Sequence, residues 1–407
     1  MSIDVSKMSK GRVALIAVII WLTSAAAIWS YIPAVVANDL YMSFPEQSDL
    51  ITAILSWPSL VTAAVSILAG FVLNRVSTKI VLIIGEILVL VGVTGGMGDG
   101  VLWCTICCFI MGAGAGMANT AGMALLTEVF LDEDKRARQM GFYNGVMSIA
   151  GAMFSFVGGI FALQGWGQAF NVYWIFLPIL ILVILFIPNI KPSTETVQDV
   201  QETMATSGGE KKSLGARYWI FYVIVLFYFL SDSAFMAFNS VFIGENAVGD
   251  VALTGTIVSI NTLSSLAACL LFGFMFSKLR RKVTLLGFAL IAGGYALIVG
   301  FPCVATQIVG ALMIGFTYGI FFTLLYAYAF AVTPPERGGL VSGLCTCNWS
   351  IGIWAGVYLI SFFMGIFGGI NYAYLAAMVI AIVGFVWEIF NCRKDDRDGI
   401  LMEPSTE

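Results

Sequence analysis

Histidine is absent from the 407 residues, and Asp, Glu, Lys and Arg together make up only 11% of them. Without imidazole, Ser-His-Asp hydrolysis, HExxH zinc chemistry and a histidine proton relay are excluded. A soluble domain carries about 25% charged residues, so the second scarcity argues against water as the main solvent. What fills the chain instead is apolar, at 59% of residues. The composition is that of an integral membrane protein, all-α because helices satisfy their own backbone hydrogen bonds in hydrocarbon.

Crossing the hydrocarbon core takes about 20 apolar residues. Twelve such stretches follow one another: Val13–Ala37, Leu50–Leu73, Ile80–Gly95, Val101–Thr127, Met140–Leu163, Gln168–Pro188, Tyr218–Ile243, Val251–Ser277, Val283–Phe301, Val304–Val332, Leu340–Phe367 and Ile370–Asn391. The first is too long for a signal-peptide core and is expected to stay in the mature chain. All 20 Lys and Arg fall at the N-terminus, in the even-to-odd connections or in the tail; none falls in an odd-to-even connection. The positive-inside rule then predicts both termini on the cytoplasmic side of the cell membrane. The opposite loops carry Asp39, Glu46, Asp49, Asp99, Glu245 and Asp250 without a base.

The polar segment Lys191–Arg217 contains Gly and Ser and has no apolar period, as a flexible linker does. It separates an N-terminal six-helix bundle (1–190) from a C-terminal one (218–391), followed by a tail (392–407). The two halves match at a constant offset: Gly70 with Gly273, Arg75 with Lys278, Lys79 with Lys282, Gly112 with Gly315 and Gly116 with Gly319, each pair 203 residues apart. Parallel repeats of six spans are a transporter plan with the substrate site at the midplane between halves.

Between spans 2 and 3, Gly70-Phe-Val-Leu-Asn74-Arg75-Val-Ser77-Thr78-Lys79 resembles the signature loop of the major facilitator superfamily, roughly G-x-L-x-D-R-x-G-R-K. Gly273, Ser277, Lys278 and Arg280 to Lys282 form a second copy between spans 8 and 9, and Glu128 followed by Lys135-Arg136 is a third match. The resemblance covers the whole chain and implies two pseudo-symmetric six-helix bundles. In that family the loop braces an inner gate, which makes Gly70, Asn74, Arg75, Lys79, Gly273, Lys278 and Lys282 candidate gate residues. Asn74 replaces the loop's acid and brings no charge to a helix terminus. Two features linked to drug/proton antiport are missing: Cys108 stands where a buried Arg would be, and Phe154 to Gly159 lack the Pro of the span-5 pattern.

Charge inside a span is costly and marks function by default. Asp232 lies near the centre of span 7, Glu86 about two turns into span 3, and Glu388 near the end of span 12, where it is expected to reach water. A carboxylate that loads a proton when dry and releases it when wetted can couple transport to a proton gradient. Asp232 is therefore the candidate coupling residue; the alternative is an interhelical tie to Ser231, Ser233 or Asn261. Glu86 reads as structural or gating. The resemblance implies that spans 1, 4, 7 and 10 line a central cavity. Trp29, Tyr31, Asn119, Thr120, Asp232, Phe235, Asn239, Tyr318, Phe322 and Tyr326 are the candidate substrate contacts there. No span places Lys or Arg at its centre, which disfavours anionic solutes.

Gly112, Gly114 and Gly116 lie mid-span and read as close-packing positions rather than a dinucleotide loop. The eight Cys sit mostly within spans and read as small apolar residues. These features predict a secondary active transporter of a small organic solute. It works by alternating access, coupled to protons in uptake or exchange, as a monomer in the bilayer, with no cofactor, no metal and no nucleic acid. The alternatives are an efflux antiporter or uniporter of amphipathic or cationic compounds, and a transporter-like sensor. An enzyme is not expected.

Overall fold

The computed structural model describes residues 10–73, 75–98, 100–130, 133–189, 216–279, 282–331 and 338–397. Asn74, the linker as far as residue 215 and the tail from 398 onward lie outside them. Among the described residues there is no strand, and twelve helical segments are long and apolar enough to cross a bilayer.

The helices are α1 (Lys10–Thr23), α2 (Tyr31–Val35), α3 (Ala37–Ser43), α4 (Ser48–Leu73), α5 (Thr78–Leu90), α6 (Val101–Val129), α7 (Glu133–Ala162), α8 (Phe176–Phe186), α9 (Ala216–Glu245), α10 (Val251–Leu279), α11 (Val283–Gly300), α12 (Val304–Ala331), α13 (Gly338–Phe367) and α14 (Asn371–Arg397). Tighter 3-10 stretches at Ser24–Ile28, Val91–Gly96 and Trp166–Ile175 complete spans 1, 3 and 6. Span 1 is thus segmented, and its helical path runs on to Ser43. Asp39, Glu46 and Asp49 were expected in a loop. Asp39 instead lies in α3, Glu46 in a 3-10 turn (Pro45–Gln47), and Asp49 in the first turn of α4, where a carboxylate suits the helix N-terminus. Glu245 likewise ends α9.

By packing, the chain forms two units. Unit 1 holds residues up to Gly215 together with Ala237–Thr262; unit 2 holds Ala216–Met236 and everything from Leu263. The acidic-loop ends of α9 and α10 therefore belong to unit 1. Ser240 donates there to the Val35 carbonyl at 2.7 Å and accepts from the Asn38 amide at 3.1 Å, while Ser259 donates to the Ala152 carbonyl at 2.6 Å.

Inside unit 1, glycines let α6 touch two neighbours at once. A methyl on Gly112 or Gly116 would fall 2.6 Å from the Pro58 or Thr62 carbonyl of α4, and one on Gly114 would fall 2.7 Å from the Gly85 carbonyl of α5. Lipid tails provide no hydrophobic drive between helices, so close backbone approach and its van der Waals contact hold such crossings. Unit 2 repeats one of these contacts. Gly319 of α12 lies against the Ser265 carbonyl of α10, the counterparts of Gly116 and Thr62. Ser66 donates to the Gly116 carbonyl at 3.4 Å, and its counterpart Cys269 to that of Gly319 at 3.7 Å.

Replacing Gly116 or Gly319 by Ala should lower the melting temperature of the purified protein, the forced separation costing about 1–3 kcal/mol. Gly70→Ala is the control, because a methyl there meets nothing within 4 Å. Thermal unfolding of the three variants beside the parent protein checks both halves of this expectation.

Candidate functional site

Asp232 stands midway along α9 and is 1% exposed. Tyr228, one turn earlier on the same face, donates to its Oδ1 at 3.1 Å; Oδ2 has no hydrogen-bond partner among the described residues. The Thr317 hydroxyl of α12 lies 3.3 Å from the Tyr228 oxygen and 2.6 Å from its own Ile314 carbonyl, so its proton can serve either. The Tyr228 ring stacks on Phe321 at 4.1 Å between centroids. The carboxylate is thereby connected through one phenol to the neighbouring helix.

The tie weighed as the alternative is not made by Ser231 or Ser233. Ser231 donates to the Ala377 carbonyl at 2.8 Å and Ser233 to the Leu230 carbonyl at 2.8 Å, each satisfied by backbone. Tyr295 closes the surround by donating to the Ser231 carbonyl at 2.8 Å. Tyr228, Thr317 and Tyr295 were not among the sequence candidates. The spacing of four between Tyr228 and Asp232 was the available signal for the first; nothing in the sequence pointed to the other two.

Of the candidate contacts, Tyr318 and Phe322 come together in unit 2, stacked at 5.7 Å, and Phe229 meets Tyr318 edge-on at 6.2 Å. Phe235 is buried, and the side chain of Tyr326 lies outside what is described. Trp29, Tyr31, Asn119, Thr120 and Asn239 all belong to unit 1. Trp29 is 2% exposed, packed in the apolar core, and its carbonyl accepts the Tyr173 hydroxyl. Asn119 accepts from Tyr143 at 3.2 Å, and Thr120 donates back to the Gly116 carbonyl at 2.8 Å. Glu388 does not reach water: it is fully buried and accepts from Thr284 of α11 at 2.8 Å, because α14 continues past it to Arg397.

Unit 1 also holds a cavity of about 280 Å³ lined by Asn38, Asp39, Ser240, Gly244, Asp250 and Thr254, among others, and by none of the candidate contacts. Burial pushes the Asp39 carboxyl above the usual carboxylate range, opposed by a hydrogen bond from Asn38. Asp250 caps α10 by accepting from the Leu253 amide at 2.9 Å.

The family model of the Major Facilitator Superfamily matches residues 13–227 and 221–399. The chain belongs to the major facilitator superfamily. Solved structures of similar fold include a bacterial homologue of the human lysosomal transporter Spinster in an inward-facing, unoccupied conformation, with a TM-score of 0.76, 14% identity and coverage of 96% of this chain and 99% of that one. A variant of the nucleoside transporter NupG matches with a TM-score of 0.73, 13% identity and coverage of 92% and 99%. A variant of the peptide transporter POT in complex with alafosfalin matches with a TM-score of 0.74, 13% identity and coverage of 99% and 100%. At these identities the likeness is one of fold. No curated protein matches the sequence. A multi-pass membrane protein with a transporter fold is the result.

The superfamily's signature residues take positions that the repeat alone did not reveal. Gly70 and Gly273 lie near the ends of α4 and α10, within the spans expected for them, and neither is crowded. Lys79 donates from α5 to the Ile184 carbonyl at 2.7 Å, capping the C-terminal end of α8. Lys278 lies over the Phe274 ring at 4.4 Å, while Arg75 and Lys282 are exposed. Glu128 at the end of α6 accepts from Thr78 at 2.6 Å and so brings a carboxylate to the N-terminus of α5.

Burial raises the Glu128 carboxyl above its ordinary range, and the Thr78 hydroxyl works against that rise. A raised folded-state value means stability is lost as pH climbs from the ordinary carboxylate value through the raised one. Thr78→Val should push the Glu128 value higher and cost about 1 kcal/mol, more at neutral than at acid pH. Melting temperatures of variant and parent at both pH values test the sign.

Proposed function

We propose that the chain is a secondary active transporter that carries a small organic solute across the cell membrane by alternating access. In this reading a proton drives uptake or exchange, and Asp232 is the coupling carboxylate. The observation that carries the reading is a fully buried acid in mid-span whose Oδ2 has no hydrogen-bond partner among the described residues and whose Oδ1 is held by Tyr228. An ionised carboxylate left so poorly compensated in hydrocarbon costs several kcal/mol. The dry arrangement suits the protonated acid, and wetting from either side of the membrane would release the proton. Tyr228 and Thr317 would report the change of charge to α12.

The solute class follows from composition and fold. The spans place no Lys or Arg at their centres, so they favour neutral, zwitterionic or cationic solutes over anions. The like-folded nucleoside and peptide transporters support an organic solute of modest size. Trp29, Tyr31, Asn119, Thr120, Phe235, Asn239, Tyr318, Phe322 and Tyr326 are the proposed substrate contacts. Both termini are proposed to be cytoplasmic, with the chain acting as a monomer.

A stabilisation screen with pooled metabolites identifies the solute first, since bound ligand raises apparent stability by mass action. In proteoliposomes, Asp232→Asn should then abolish accumulation driven by a proton gradient while solute exchange at equal concentrations persists. Tyr228→Phe should shift the pH profile of transport and slow it about tenfold, the effect of losing one hydrogen bond to a charged group. Full accumulation by Asp232→Asn would remove the coupling assignment and leave the transporter assignment standing.

A further inference from the structure

A second carboxylate is buried in unit 1 with less support than the first. Glu86 of α5 is 0% exposed, and neither of its oxygens meets a hydrogen-bond partner among the described residues. It lies on the packed stripe of its helix with Val81, Leu82, Gly85 and Val89, the stripe along which Gly85 presses against Ala118 of α6. Its side chain is therefore held between helices and does not face lipid.

The elements packed against α5 offer it little. These are α4, α6, α8 and the 3-10 segments Ser24–Ile28, Val91–Gly96 and Trp166–Ile175. α8 and the first two segments contain no ionisable side chain. α4 contributes Asp49, in its first turn. The third segment contributes Tyr173, already committed to the Trp29 carbonyl. α6 contributes Cys104, Cys107 and Cys108 toward its start and Glu128 at its end, the last bound to Thr78 eight residues before Glu86. Lys79, on α5 itself, is spent on α8. Tyr143 of α7 is within electrostatic reach of Glu86, and its hydroxyl is shared between Asn119 of α6 and Thr23 of α1.

A structural tie uses its oxygens, and among the described residues these are unused. A bare carboxylate at this depth would cost several kcal/mol, so a cation must neutralise it. From this geometry we infer that Glu86 is a second loading site for a monovalent cation, a proton or sodium, separate from Asp232. Tyr143, itself bonded to Asn119 and Thr23, is the polar group within its electrostatic reach. The site stands whether or not Asp232 couples transport.

Infrared difference spectroscopy of the purified full-length protein in lipid tests the inference without a known solute. An acid-to-alkaline titration in sodium-free buffer should show a carboxylic-acid carbonyl band that vanishes in Glu86→Gln, persists in Asp232→Asn and shifts in Glu86→Asp. Loss of that band when sodium is added at fixed acid pH identifies sodium as a ligand; a band that follows pH and ignores sodium identifies the proton. A Glu86→Gln spectrum identical to that of the parent in both series overturns the inference. Should Glu86→Gln not fold, the Glu86→Asp band decides: a shift supports the site, and no shift overturns it.

Discussion

The structure depends on how closely α6 can approach α4 and α5. In water, helices are pressed together by the cost of exposing apolar surface; in lipid that pressure vanishes and contact must come from fit. Gly112 and Gly116 on one side and Gly114 on the other reduce α6 to little more than backbone where it crosses its neighbours. The close approach puts carbonyls within reach of hydroxyls, so Thr62 donates to the Gly112 carbonyl at 2.8 Å as well as to its own Pro58 carbonyl. Packing and polar satisfaction are thus achieved by the same residues.

This economy makes the exceptions informative. Across the spans, Ser and Thr hydroxyls mostly donate to a carbonyl on their own helix or the next, as at Ser56, Thr120, Ser155, Ser231 and Ser264. Such groups are paid for locally and need no function to explain them. Glu388 follows the rule through Thr284. Among the described residues, Asp232 follows it with one oxygen and Glu86 with neither. A ranking of buried acids by unmet hydrogen-bonding capacity therefore differs from a ranking by depth alone, under which Glu86 looked peripheral and Asp232 stood by itself.

Much of the scaffold was legible from sequence because it is written in long-period signals. Span length is set by bilayer thickness, and glycine spacing by the helix repeat. The offset pairing Gly116 with Gly319 falls on a matched contact, in which Ser265 stands for Thr62 and Cys269 for Ser66, two pairs the sequence reading did not single out. The misreadings concern places where the chain departs from uniform helix or where a partner comes from a distant span. Apolar composition gives no sign that span 1 tightens to a 3-10 turn at Ser24–Ile28 and runs on to carry Asp39 in a helix. Hydropathy brought Glu388 to the water interface, but α14 outlasts its apolar stretch and Thr284 reaches it from another helix. At the site, Asp232 was visible as a charge in mid-span, yet its Tyr228 partner was hidden among many aromatics that all looked like packing.

The duplication did not extend to the chemistry. At the offset that superposes the glycine crossings, Asp232 corresponds to Trp29 and Glu86 to Ala289. Neither acid has a carboxylate counterpart in the other half, although the Gly116 contact of α6 with α4 recurs as that of Gly319 on α12 with α10. An interaction needed to bring two helices together is needed in both bundles, so both copies kept it. A buried acid contributes nothing to that fit and carries a desolvation cost wherever it sits. Its presence in one copy only, on α5 in one half and α9 in the other, separates both acids from the residues that build the scaffold.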